Sequence, residues 1–204
     1  MVEALISFSI ASFFLALTPG PDNIYVLSQS LANGYKSGIA TTLGLVSGCI
    51  VHTLLLAFGV SALISNSEIL FLSIKILGAS YLLFLAFKVY NSNFQLSFSE
   101  NTPIKTNALL FKQGVIMNLV NPKVMLFFLA FFPGFLWNRE EDTILQFLIL
   151  GLVFMLVSFL VFSSISLLAG KIAGYIKNHK NFDSLLKWFQ IIVFVGIAVF
   201  ILLP

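Results

Sequence analysis

Six stretches of this chain, residues 4–32, 39–64, 69–90, 108–136, 144–170 and 185–204, are about 20 residues or longer and nearly free of charge. A helix needs roughly 20 mostly apolar residues to cross a bilayer. Soluble domains carry about 25% charged residues, whereas here the share is 9% and 59% of residues are hydrophobic. Eleven basic and eight acidic side chains cannot cover a water-soluble surface for 204 residues. The expected fold is therefore an all-α integral membrane protein with six transmembrane helices in a single domain, residues 1–204. A soluble enzyme, a nucleic-acid binder and a disordered chain are excluded on the same ground. The net charge of +3 is spread over separate loops and forms no basic patch. The 23 phenylalanines suit a lipid-facing surface, and the pairs at 127–128 and 131–132 belong either there or in the core.

Short turns separate the stretches: Asn33–Gly38, Ser65–Glu68, Trp137–Thr143 and Lys171–Ser184. One longer linker, 91–107, is rich in Ser and Asn and divides the chain into halves at about 1–90 and 105–204. The N-terminus does not read as a cleaved signal peptide, because Glu3 stands where a cationic region is needed. Lys36, Lys88, Lys105, Lys112, Lys171, Lys177, Lys180 and Lys187 all flank the odd-numbered loops. Arg139 is the one cation of the even-numbered loops, among Glu68, Glu140, Glu141 and Asp142. Cationic loops stay in the cytoplasm, so both termini are expected outside. Small residues four apart, such as Gly44 and Gly48, allow close helix approach along the Ala40–Gly44–Gly48 face.

Charge inside a bilayer costs on the order of 2.5–3.5 kcal/mol at a helix centre, so intramembrane charges mark where chemistry is expected. Asp22, Lys75 and Lys123 qualify. Asp22 lies in Thr18-Pro19-Gly20-Pro21-Asp22-Asn23. Proline removes a backbone donor and clashes with the preceding turn, so the first stretch should break here, with Pro21 opening a second half-helix. A simple kink would need no carboxylate. Lys123 lies in Asn118-Leu119-Val120-Asn121-Pro122-Lys123. Asn121 is a good N-cap and Pro122 a good first helical residue, so a second break is expected. The alternative starts the fourth span later, but 124–136 alone is too short to cross.

The two breaks occupy corresponding places in two three-span halves, which must then be inverted relative to each other. Interrupted helices at matching positions point to the substrate site of a secondary transporter. Half-helix N-termini carry partial positive charge and free N–H groups. Asp22, Lys123, Thr18, Asn23, Asn118 and Asn121 together complement a zwitterion. Lys75 is expected to snorkel to the interface. His52, beside Cys49, reads as a packing residue rather than a ligand or relay. The lone Cys49 excludes an internal disulfide. HExxH, GxSxG and phosphate-loop motifs are missing from the sequence; neither an enzymatic activity nor a cofactor is expected, and no ATP-binding half is present to drive transport.

The run Thr18–Asn23, followed by Ala32-Asn33-Gly34-Tyr35-Lys36-Ser37-Gly38, resembles the opening of the lysine exporter / homoserine–threonine resistance (LysE/RhtB) family of amino-acid exporters. Lys75-Ile76-Leu77-Gly78-Ala79-Ser80-Tyr81-Leu82 is similar to that family's third-helix pattern. Phe111-Lys112-Gln113-Gly114, then Asn118 through Lys123 and Phe127-Phe128, is similar to its fourth-segment signature. That family usually carries a polar residue where this chain has Gly134, in Pro133-Gly134-Phe135. The resemblance implies export of an amino acid or close derivative from the cytoplasm, driven by a proton or sodium gradient, across the bacterial inner membrane.

On this reading the substrate-binding residues are Thr18, Pro19, Gly20, Pro21, Asp22, Asn23, Asn118, Asn121, Pro122 and Lys123, with Asp22 also the coupling-ion site. The partners are the amino acid, the coupling ion and membrane lipid, with no nucleic acid and no resident metal. Small six-span transporters often dimerise, so a homodimer is left open. The competing reading is an exporter of metal or other inorganic cations, with Asp22, Asn23, His52 and Asn118 as ligands. Lys123 argues against it by repelling a cation.

Overall fold

The computed structural model describes residues 1–61, 67–92, 104–138, 141–179 and 181–203. Among these residues every regular element is helical. The elements are α1 (Val2–Leu17), α2 (Pro21–Asn33), α3 (Tyr35–Leu54), α4 (Glu68–Tyr90), α5 (Asn107–Val120), α6 (Pro122–Phe131), α7 (Thr143–Leu167), α8 (Ala169–Asn178) and α9 (Phe182–Leu202). A π-type turn, Leu55–Val60, extends α3, and a 3₁₀ turn, Phe132–Phe135, extends α6. Four spans are single helices, with α3 running on through its π-type turn, and two are bent pairs: α1 with α2 at 61°, and α5 with α6 at 58°. Together they make the six expected spans.

Local sequence sets the boundaries. The Ser67 hydroxyl accepts from the Leu70 N–H at the start of α4, and Thr106 does the same for Leu109 at the start of α5. The first turn is shorter than the expected Asn33–Gly38. Gly34 alone makes it, at φ 83°, a conformation that disfavours side chains. Lys171–Ser184 is not the turn expected from its low hydropathy, because most of it is α8. Ala169 and Ala173, four apart, are buried on one side of that helix, so a short amphipathic helix was concealed by its lysines. Most of the linker 91–107, together with Arg139, Glu140 and Lys180, lies outside the described residues.

The described flanks of the odd-numbered loops share one face. Ser166 Oγ donates to the Tyr35 carbonyl at 2.8 Å, and Lys187 Nζ donates to the Ser92 carbonyl at 2.8 Å. On the opposite face the hydroxyls of Ser61 and Thr143 are hydrogen-bonded. Lys75 reaches that face too, donating to the Leu203 carbonyl at 3.1 Å.

α3 packs most extensively on α5, and α9 on α4. A Cβ on Gly44 would overlap the Phe111 carbonyl, and one on Gly114 would crowd the Thr41 carbonyl. The two backbones therefore touch, as the Ala40–Gly44–Gly48 face anticipated. By contrast, a Cβ added to Gly170 or Gly174 would meet nothing within 4 Å. Phenylalanine does more than face lipid. Phe127 stacks on Phe131 at 4.4 Å, Phe128 on Phe132 at 4.3 Å, and Phe8 seals against Phe131, Phe132 and Phe135. Large rings fill the space around a bent helix with few rotatable bonds.

Candidate functional site: a cavity between two broken helices

Each helix break leaves backbone carbonyls without intrahelical donors, and side chains take their place. At the first break, Asn23 Nδ2 donates to the Ala16 carbonyl at 2.7 Å and Thr18 Oγ1 to the Phe14 carbonyl at 3.0 Å. Gln190, from α9, donates through Nε2 to the Pro19 carbonyl at 3.2 Å. Gly20 then stands as the N-cap of α2 with no side-chain cap, and Pro21 occupies the first turn. At the second break Asn121 Oδ1 accepts from the Lys123 N–H at 3.1 Å, the capping role expected of it.

The breaks meet. Asn121 Nδ2 donates to the Asp22 carboxylate, at 3.3 Å to Oδ2 and 3.5 Å to Oδ1. A single amide therefore caps α6 and binds the carboxylate at the start of α2. Lys123 attracts Asp22 electrostatically without a contact within ion-pair distance, and its ammonium lies 5.0 Å from the centre of the Phe194 ring. Gly20 lies beside that ammonium: a Cβ there would stand in ordinary contact with Lys123 Nζ, at 3.5 Å.

A cavity of about 60 Å³ lies between the breaks. Thr18, Gly20, Pro21, Asp22, Asn23, Asn118, Asn121 and Lys123 line it. Two of the expected residues stand apart from the lining: Pro19, which is buried and offers its carbonyl to Gln190, and Pro122, which is exposed at the first turn of α6. His52 is buried behind the wall. Its Nε2 lies 3.4 Å from the Asn118 carbonyl and its ring packs against Phe128, as expected of a packing residue. The absence of a side chain on Gly48 makes way for Asn118, whose Nδ2 donates to Cys49 Sγ at 3.4 Å while its Oδ1 has no partner.

Sequence reasoning missed Gln190 and the α7 wall of Phe154, Ser158 and Phe162. Gln190 was findable, being the one amide side chain in the run 188–204. The α7 residues carry no such signal until the fold shows which face of the helix meets the cavity.

The architecture defines a class: a multi-pass membrane protein with two broken spans whose breaks converge on one polar cavity. Residues 13–204 match the profile of the family described as LysE type translocator, and the chain belongs to that family. It is 30% identical over 183 residues to the homoserine/homoserine lactone efflux protein of Salmonella typhimurium, covering 90% of this chain and 88% of the relative. It is 31% identical over 193 residues to the leucine efflux protein of an Enterobacter species, covering 94% and 92%. No solved structure matches the chain.

Proposed function

We propose that this protein exports an amino acid or a close derivative from the cytoplasm across the bacterial inner membrane, driven by a proton or sodium gradient. One observation carries the reading: the carboxylate that opens α2 and the capping amide of α6 hydrogen-bond across one cavity, with Lys123 beside them. A zwitterion matches that arrangement. Its ammonium pairs with Asp22, which Lys123 attracts but does not contact. Its carboxylate meets Lys123 and the uncapped N–H groups of α2. The names of the two relatives, both efflux proteins, support the direction and the substrate class.

Coupling follows from exclusion. Asp22 serves as the coupling-ion site, and an ion on its carboxylate leaves no anion for the substrate ammonium. A carrier that binds one or the other, and changes its facing with either, is an antiporter. Alternating access to the cavity calls for the half-helices to move. Two inverted halves, 1–90 and 105–204, rocking about the site supply that motion. The lysine-bearing face is the cytoplasmic one, which puts both termini outside.

The inorganic-cation reading gains no support: among the described residues no three of His, Cys, Asp and Glu gather as a ligand set. The deciding experiment is efflux from cells loaded by dipeptide feeding, scanned across all twenty amino acids. Export of an amino acid that depends on the protein supports the reading. Resistance to metal salts without amino-acid efflux refutes it.

A further inference from the structure

We infer that Ser158 is the specificity-determining residue of the cavity, and that the cavity selects a small neutral amino acid bearing a side-chain hydroxyl. The inference rests on the export reading above and goes on to name the substrate's side chain.

Phe154, Ser158 and Phe162 are spaced four apart on α7 and all line the cavity. Residues at that spacing share one face of a helix. This part of the lining is thus an aromatic stripe with a single small residue in its middle. The gap gives a substrate side chain somewhere to go. The one polar group on that stripe is a hydroxyl.

That hydroxyl is unpaired. Ser158 is 3% exposed, and its Oγ has no hydrogen-bond partner. Other helical serines in this chain bond back to the carbonyl four residues earlier: Ser9 to Leu5, Ser30 to Val26, Ser73 to Ile69 and Ser164 to Leu160. Ser158 does not, so its donor and acceptor remain for something in the cavity. Ser12 and Ser163 also lack a partner, but neither lines the cavity. Asn118 adds a second unpartnered acceptor, Oδ1, on the same lining.

A buried polar group left unpaired is costly, whereas one that finds a partner is close to neutral. An aliphatic side chain entering the gap would seal Ser158 Oγ in without a partner. A hydroxylated side chain of the same shape would satisfy it. Sites built to hydrogen-bond a substrate hydroxyl reject the analogue lacking it far more strongly than apolar pockets reject an extra hydroxyl. Among the described residues no cavity-lining carboxylate other than Asp22 is available for a second ammonium, so a dibasic side chain is disfavoured.

The test uses isosteric pairs: threonine against valine, and homoserine against norvaline. Purified protein is reconstituted into liposomes, and counterflow is measured for each. The wild-type protein should favour the hydroxylated member of each pair by about tenfold. Ser158→Ala should bring that ratio close to one. Ligand-induced thermal stabilisation in detergent gives a second readout should the variant carry nothing: threonine should stabilise the wild type more than valine does, and the variant no more than valine does. Equal handling of both members by the wild type overturns the inference, as does a preference that survives Ser158→Ala. If no amino acid moves and none stabilises the wild-type protein, the export reading itself fails and takes this one with it.

Discussion

Asn121 offers the sharpest test of whether the two breaks are one site, because its side chain makes a bond to each. Its Oδ1 caps α6 at 3.1 Å and its Nδ2 donates to Asp22 at 3.3 Å. Losing an N-cap costs about 1 kcal/mol. A hydrogen bond to a charged group contributes about 1.5–3 kcal/mol, but this one is at the long end of the distance range, which brings it to about 1 kcal/mol. Asn121→Ala should therefore cost about 2 kcal/mol, or about 4–8 °C in Tm for a chain of this size. Asn121→Asp separates the two roles. Aspartate caps as well as asparagine, yet it sets a second carboxylate against Asp22. At about 3.5 Å and an effective dielectric of about 20, that repulsion is about 5 kcal/mol. The order of stability should be wild type, then Asn121→Ala, then Asn121→Asp. Combining Asn121→Asp with Asp22→Asn exchanges the two groups, restores an amide–carboxylate pair and should recover most of the loss. Thermal unfolding of detergent-purified protein, followed by tryptophan fluorescence, measures all four. Asn121→Asp at least as stable as Asn121→Ala, or no recovery in the double variant, would refute the contact between the breaks.

Asp22→Asn should abolish gradient-driven efflux while the protein still reaches the membrane; full coupled efflux would make Asp22 structural. Lys123→Arg should impair efflux less than Lys123→Ala, since it keeps the charge that meets a carboxylate; the reverse order would remove Lys123 from the substrate site. Gly44→Ala should cost about 1–3 kcal/mol by overpacking against the Phe111 carbonyl, whereas Gly196→Ala, with open space around it, should be neutral or stabilising by up to about 1 kcal/mol, both read as Tm. In a Cys49→Ala background, an impermeant thiol reagent on intact cells should label a cysteine at Asn138 and spare one at Asn178; the opposite pattern would invert the topology.

The spans were legible because a bilayer imposes a single length and a single polarity on every crossing. The breaks were legible for a similar reason: Pro19, Pro21 and Pro122 forbid a continuous helix wherever they fall. Even the capping role of Asn121 follows from its place before a proline. Helix α8 was not legible, since a short amphipathic helix and a polar loop share low hydropathy and differ in periodicity over only ten residues.

The site divides along the same line. Its charged half could be read from the chain, because a charge in a membrane span is costly enough to need a reason. Its neutral half could not. Ser158 is one of many serines in apolar helices. What distinguishes it is a place on the cavity wall and a hydroxyl that makes no bond, not even to the Phe154 carbonyl one turn earlier. Burial without a partner is a property of the packed molecule, since it depends on which elements surround the hydroxyl. Under the proposed function the charges accordingly speak to the part every zwitterion shares, its ammonium and carboxylate. The neutral wall is written in residues whose meaning appears only on folding. Under the proposed export function, discrimination between side chains has to be sought on the neutral wall rather than at Asp22 and Lys123.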